Sequence, residues 1–264
     1  MNLEITSREN KKYKEIKNLI TKKSNDCFLI EGFKLLEEGL KSNISIKEII
    51  IDKNNLQTFK DLLKKNNSSI ENSKLNLIKN NLLSSLYTTD KEPTSELLAI
   101  TIAHRPNYQT EDIFSTKKNV VLLESIQDPG NLGTIIRSAL AFNAGGILLT
   151  KDSTNPYSTK VIRASAGAIF KMPVVYIDTD TLKKFALKYR YTIIGTSSKS
   201  KKSISSIDSY PKVFLFGNEG KGLSSFLEKS AEEIIKIPHS SNVESLNLGV
   251  AVSIVLWETQ KKET

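Results

Sequence analysis

Apolar positions fall along this chain in two rhythms. Short, near-continuous runs of leucine, β-branched and aromatic residues, bounded by glycine, proline or asparagine, read as buried strands, and stretches with apolar residues three or four apart read as helices. Residues 3–23 alternate lysine and glutamate around Leu3, Ile16, Leu19 and Ile20, which predicts a solvated amphipathic helix. Strands follow at 27–30, 44–51, 75–78 and 97–100, with helices through Leu35, Leu36 and Leu40, over 56–63 and over 82–86. This alternation predicts a small α/β domain over residues 1–105. The stretch 105–110 is polar and contains a proline, so residues 106–116 read as a linker. A second strand series occupies 117–264, with runs at 119–126, 145–150, 174–177, 191–195, 213–216 and 233–238. Strands this uniformly apolar argue for a parallel sheet covered on both faces. Leu246, Val250, Ile254 and Trp257 recur at helical spacing and predict a closing helix. Periodicity alone suggests an open Rossmann-like sheet, because knotted chains are almost absent from proteins.

Composition narrows the function classes. At 264 residues the chain holds two modest domains or one large one, and 39% hydrophobic with 25% charged residues is an ordinary globular balance. Its apolar runs are too short to span a bilayer, and its first eight residues have no apolar signal core, so a cytoplasmic protein is expected. Cys27 is the only cysteine and His104 and His239 the only histidines, which argues against a disulfide framework or a metal cluster. The net charge of +9 is uneven: residues 1–116 carry 18 basic and 16 acidic groups, residues 117–264 carry 20 and 13. Basic charge therefore concentrates in the second half and favours a polyanionic partner.

Three blocks in that half carry candidate chemistry. The first, 124–137, contains the turn Asp128-Pro129-Gly130-Asn131, in which Asn131 is placed to cap a helix over 132–142 with Arg137 near its start. The second runs from the apolar 213–216 into Gly217-Asn218-Glu219-Gly220-Lys221-Gly222. Its small residues let backbone approach a ligand closely. It is neither the G-x-G-x-x-G dinucleotide fingerprint nor a P-loop, which needs Ser or Thr after the lysine. The third is Ile237-Pro238 followed by Glu244-Ser245-Leu246-Asn247, where Ser245 and Asn247 stand at a helix start. Taken singly, each is explained by capping, and Glu219 by a favourable place at a helix start. His239, beside a proline, reads as a loop residue and not as a general base. A Ser/His/Asp hydrolase is hard to sustain for want of a G-x-S-x-G elbow.

Together, N-x-G-x-x-x-R, G-N-E-G-x-G and I-P followed by E-S-L-N, in that order, resemble the SpoU (TrmH) family of RNA ribose 2′-O-methyltransferases, within the SPOUT class. The resemblance implies a C-terminal parallel-sheet domain with a trefoil knot, preceded by an α/β RNA-binding domain. It implies S-adenosylmethionine as cofactor, large-subunit rRNA as substrate, and a homodimer. It places Arg137, Asn131, Glu219, Ser245 and Asn247 in the catalytic site, and Leu215, Gly217, Asn218, Gly220, Ile237 and Leu246 around the cofactor. Two departures concern the final block: His239 and Ser241 where the family often has methionine and glycine, and Gly249 where serine or alanine is usual. In the first domain, Pro93-Thr94-Ser95-Glu96 stands where the family has Pro-Gln-Gly, which leaves the RNA target open. Two alternatives accompany this reading: a tRNA 2′-O-methyltransferase, and a non-catalytic RNA-binding protein on the same fold. A guanidinium keeps its proton, so Arg137 would act on an RNA phosphate serving as base or would stabilise the forming alkoxide.

Overall fold

The computed structural model describes residues 4–21, 26–88, 99–206 and 211–260. The expectations at Leu3, at 22–23, at Pro93-Thr94-Ser95-Glu96, and at Leu97 and Leu98 lie outside those residues. The chain forms two compact units: Met1–Pro106 with Tyr157–Arg163, and Asn107–Pro156 with Ala164–Thr264.

The first unit runs α1 (Lys11–Thr21), β1 (Cys27–Glu31), α2 (Phe33–Lys41), β2 (Ile46–Asp52), α3 (Leu56–Lys65), β3 (Leu75–Ile78), α4 (Asn80–Ser84) and β4 (Ala99–His104). Its sheet has the order β1-β4-β2-β3, antiparallel except where β2 meets β3. Alternation along β2 sends Ile50 to one core, with Ile16, Ile78 and Leu83, and Ile49 and Ile51 to the other, with Leu36 and Phe59. The first helix begins at Lys11, later than the charge pattern suggests. It is less solvated than expected, because Tyr13 and Ile16 are buried and the Tyr13 hydroxyl pairs with Ser85 at 2.9 Å.

The second unit runs α5 (Thr110–Phe114), β5 (Val120–Leu123), α6 (Pro129–Ala141), β6 (Gly146–Leu149), the end of α7 (Thr159–Ala164), β7 (Val174–Tyr176), α8 (Thr179–Tyr189), β8 (Thr192–Thr196), β9 (Lys202–Ser203), β10 (Lys212–Phe216), α9 (Ser225–Glu228), β11 (Glu233–Lys236) and α10 (Leu248–Gln260). The segment 106–116 is not a free linker. It carries the capping-boxed α5, whose Ile113 and Phe114 are fully buried in the core of this unit.

All seven strands are parallel, in the order β7-β6-β5-β10-β8-β11-β9. Val120, Leu122, Val213 and Leu215 face one core, with Leu148 and Ile193, and the alternate residues face the other side. The late strand β10 lies between β5 and β8, and α10 returns to pack on α6, where Ser138 and Ser253 pair at 2.7 Å. This arrangement brings the loops after β5, β10 and β11 to one carboxyl edge of the sheet, where parallel α/β sheets hold ligands. Among the described residues, no helix is long and apolar enough to cross a membrane.

Candidate active site

Asp128, not Asn131, caps α6. Its Oδ1 accepts the Asn131 N–H at 2.8 Å, and Pro129 takes the first helical position, where its missing N–H is no loss. The helix therefore starts three residues earlier than expected, and the Asn131 side chain is released for longer-range bonds. Arg137 consequently sits in the middle of α6 and not near its start. The glycine of the N-x-G-x-x-x-R pattern has a packing cause. A Cβ on Gly133 would lie 2.3 Å from the Ala164 Cβ and 2.8 Å from the Ser165 nitrogen.

At the other end of the sequence, Asn247 holds the start of α10. Its Oδ1 accepts the Val250 N–H at 3.2 Å and its carbonyl the Ala251 N–H at 2.9 Å. With that oxygen committed, Asn247 Nδ2 donates to Asn131 Oδ1 at 2.9 Å, and Asn131 Nδ2 donates to Glu219 Oε1 at 3.2 Å. Amide oxygens and nitrogens are told apart by the bonds they make. Here the helix cap fixes the polarity of the whole chain, which runs one way from Asn247 through Asn131 and ends on a carboxylate that can only accept. Residues 116 positions apart are thereby joined through one side chain.

Glu219 is carried on a tightly closed loop. Asn218 and Gly222 exchange two backbone hydrogen bonds, at 3.1 and 2.9 Å, and Gly222 has a φ of +71°. Asn218 Oδ1 accepts the Gly220 and Lys221 N–H groups, and its Nδ2 donates to the Ser125 carbonyl at 3.0 Å. A Cβ on Gly217 would fall 1.9 Å from the Gly222 carbonyl carbon, inside the backbone. Gly217→Ala must open this loop. It is expected to destabilise the protein by about 1–3 kcal/mol and to abolish cofactor binding, as read by thermal melting and by calorimetric titration with S-adenosylmethionine.

The sequence motifs did not mark the groups that hold this loop from below. Ser125, at the end of β5, has a φ of +53°, a region costly for a residue with a side chain. Its hydroxyl donates a short bond to Asp152, its N–H donates to Thr150 Oγ1 at 2.8 Å, and Thr150 Oγ1 donates to Asp152 at 2.6 Å. Glu124 accepts the Ser224 N–H at 2.8 Å, on the far side of the same loop. Glu124 and Ser125 open the first block but lie outside its N-x-G-x-x-x-R pattern, whereas Asp152 belongs to no motif and carried no signal. The Ser125 hydroxyl, and after it that of Thr150, hold the Asp152 carboxyl below its ordinary range. A depressed carboxyl is ionised at and above its unfolded value, so this bond is fully made at neutral pH and is lost only as pH falls through the lower folded value. Asp152→Ala is expected to raise the Michaelis constant for S-adenosylmethionine about tenfold by loosening Ser125 and with it Asn218. Asp152→Asn, which keeps an acceptor, should recover most of the loss in the same assay.

The remaining expected site residues are placed as follows. Arg137 and Ser245 are exposed, and among the described residues no hydrogen bond or ion pair engages either. Leu215 is fully buried in the core, which leaves only its main chain for a ligand, and its carbonyl already accepts the Thr196 hydroxyl. Ile237 and Leu246 are half-buried, and Gly220 is exposed. The His239 ring lies 2.8 Å from the Ile237 carbonyl, a local loop contact. Among the described residues, no group of three or more His, Cys, Asp or Glu side chains is placed to hold a metal ion.

Residues 118–257 match the model of the SpoU rRNA Methylase family, and residues 10–94 match that of the MRM3-like substrate binding domain. The chain belongs to the SpoU rRNA methylase family. The SpoU match takes in all three blocks of the site. The Bacillus subtilis 23S rRNA (guanosine(2553)-2'-O)-methyltransferase RlmP is 30% identical over 262 residues, covering 96% of this chain and 98% of that protein. An uncharacterized tRNA/rRNA methyltransferase of Synechocystis is 37% identical over 146 residues, but that match spans only 54% of this chain and 53% of the relative. Among solved structures, the AdoMet-bound rRNA methyltransferase from Sinorhizobium meliloti superposes with a TM-score of 0.81 at 26% identity, covering 98% of this chain and 97% of that one. The SpoU methyltransferase AviRb from Streptomyces viridochromogenes shares the fold, with a TM-score of 0.81 at 20% identity.

Proposed function

We infer that this SpoU-family chain transfers a methyl group from S-adenosylmethionine to a ribose 2′-hydroxyl of RNA, at a guanosine of 23S rRNA, in the cytoplasm. The observation that carries the reading is the one-way chain Asn247–Asn131–Glu219, which ties the three motif blocks into one preorganised acceptor site. A protein that only bound RNA would have no use for a carboxylate oriented by two amides from opposite ends of a domain. The named substrate of the full-length B. subtilis relative supports the choice of RNA and nucleotide.

The residues present suit the cofactor. The half-buried Ile237 and Leu246 offer apolar walls, and the exposed Gly220, without a side chain, leaves main chain of the loop uncovered. Gly217, Asn218, Gly220, Ile237, Leu246 and the main chain at Leu215 would hold the group, which supplies an electrophilic methyl on a sulfonium. Methyl transfer then asks the protein only for positioning and for help with one proton. Glu219 is held to accept from the ribose hydroxyl, and Asn131 fixes its orientation. Arg137 stays protonated and acts electrostatically, on the forming alkoxide or on an RNA phosphate that takes the proton. Ser245 lies two residues before the cap of α10 and contacts the substrate strand.

The reading includes a homodimer. Helix α10 is apolar on all sides: Val252, Val255 and Leu256 enter the core, while Val250 and Trp257 remain 47% and 46% exposed. The periodic stripe that announced this helix in the sequence is thus largely its outward face. With Thr134 of α6 it lines a shallow apolar groove of about 270 Å³. A second copy of the same face fits this groove, since a two-fold contact is self-complementary. Arg137 stands one helical turn from Thr134 and so at the subunit boundary. Trp257→Asp is expected to convert the dimer to a monomer in sedimentation experiments. The placement of β10 between β5 and β8, with α10 returning to α6, supports the trefoil-knotted path.

The test is transfer of labelled methyl from S-adenosylmethionine to unmethylated 23S rRNA. Label at a guanosine 2′-oxygen is the expected result. Label on tRNA alone would replace the substrate, and a chain that fails to bind S-adenosylmethionine would overturn the enzymatic reading in favour of an RNA-binding protein.

A further inference from the structure

The carboxyl ends of β6 and β7 open into a second cavity, of about 370 Å³, which none of Asn131, Arg137, Glu219 and Asn247 lines. It is lined by Thr150 and Lys151, by Asp178 and Asp180 at the start of α8, and by Phe226 of α9. Phe226 is 57% exposed, whereas every other phenylalanine is buried or half-buried. Its ring is accompanied by the Lys183 ammonium, 5.4 Å from the centroid. The two aspartates are not equivalent. Both Asp178 oxygens are taken by the N–H and hydroxyl of Thr181, at 2.8 and 3.0 Å. Among the described residues no hydrogen bond or ion pair engages the exposed carboxylate of Asp180. Those Thr181 bonds, with a smaller contribution from the charge of Lys151, keep Asp178 below its usual range, so the cavity wall is anionic at neutral pH.

A cavity with carboxylates on its wall rejects a phosphate and accepts N–H donors. An exposed aromatic ring with a cation over one face leaves its other face as a stacking platform for a nucleobase. Of the four bases, guanine presents two parallel donors, N1–H and N2–H, that match the two oxygens of one free carboxylate. Uracil would direct carbonyl oxygens at it. Lys151 and Lys183 are placed to meet the flanking phosphates. The cavity is joined to the active-site loop by the chain Thr150–Asp152–Ser125–Asn218, and Phe226 follows the Ser224 that Glu124 holds.

We propose that this cavity is a nucleobase subsite that receives a guanine of the RNA strand flanking the methylated nucleotide, stacked on Phe226 and read by Asp180. The proposal rests on the RNA-methyltransferase reading, but its test does not require methyl transfer. Fluorescein-labelled hexauridylate and the same hexamer with one central guanosine would be titrated against the full-length parent, Phe226→Ala, Asp180→Asn and Asp180→Ala. The parent should prefer the guanosine-containing hexamer. Phe226→Ala should weaken binding of that hexamer about tenfold, and both Asp180 variants should lose the preference. Cofactor affinity should be unchanged throughout, and melting temperature should hold because both side chains are exposed. In the methylation assay Phe226→Ala should raise the Michaelis constant for 23S rRNA with kcat within twofold. Equal affinity of all four proteins for both hexamers would overturn the proposal. So would a change in sedimentation on Phe226→Ala with RNA affinity intact, which would assign the ring to a protein contact. If the parent binds the guanosine hexamer through Phe226 yet transfers no methyl group, the subsite stands and the enzymatic reading falls.

Discussion

Arg137→Ala is expected to lower the rate of methyl transfer about 10²- to 10³-fold while leaving S-adenosylmethionine affinity unchanged. The side chain is exposed, and among the described residues it engages no other group, so its removal leaves the fold and the Gly217–Gly222 loop undisturbed. Six residues on a helix amount to roughly 9 Å along the axis and 240° around it, so Arg137 does not share a face with Asn131. It shares one with Thr134 and the groove of α10. In the proposed homodimer the guanidinium is therefore expected to serve the site of the partner subunit. Arg137→Lys should recover little, because a point charge does not reproduce a planar fork of donors on a phosphate or alkoxide. Single-turnover methylation with saturating cofactor reads the loss. A wild-type rate in Arg137→Ala would remove the residue from the chemistry.

Asn131→Asp is the second large effect, and it isolates one link of the site. The new carboxylate can still accept from Asn247 Nδ2, so the α10 side of the chain survives. On the other side it replaces a donor that lies 3.2 Å from Glu219 Oε1 with a like charge. Two carboxylates at that range cannot both stay ionised in place, so one is protonated or the loop moves. Methyl transfer should fall by about 10²-fold or more, with a pH dependence the parent lacks: activity should partly return as pH is lowered and the pair shares a proton. Asn131→Ala should lose activity at every pH, since it removes both bonds. Measuring rates of the three proteins between pH 5 and pH 9 separates these outcomes. Mixed dimers of Arg137→Ala with Asn131→Asp should regain activity, because one composite site then carries neither defect.

The pattern of apolar runs was enough to place every described strand of the first unit and six of the seven in the second, because strands buried on both faces leave a dense local signal. Only the two-residue β9 was too short to register. The motif blocks likewise identified Asn131, Glu219 and Asn247 as one family pattern, and the cofactor and substrate class followed from it. Local signals misled where a nearby group performed the local task better. Asn131 read as a cap until Asp128, one turn earlier, was seen to hold that role. The stripe Leu246–Val250–Ile254–Trp257 is a true helical period, but periodicity cannot say which of two apolar faces enters the core. The segment 106–116 looked polar, yet two adjacent apolar residues, Ile113 and Phe114, were enough to anchor it.

Sequence by itself determined the strands, the family and the candidate residues of the site, since these depend on short-range pattern and residue type. Tertiary structure alone decided which of those residues meet. Asp152 supports Ser125, the cap on α10 orients an amide 116 residues away, and Phe226 lines one cavity with Asp180. Each brings together groups from segments that follow different strands of the parallel sheet. Such contacts are set by the path of the backbone and leave no periodicity along the chain.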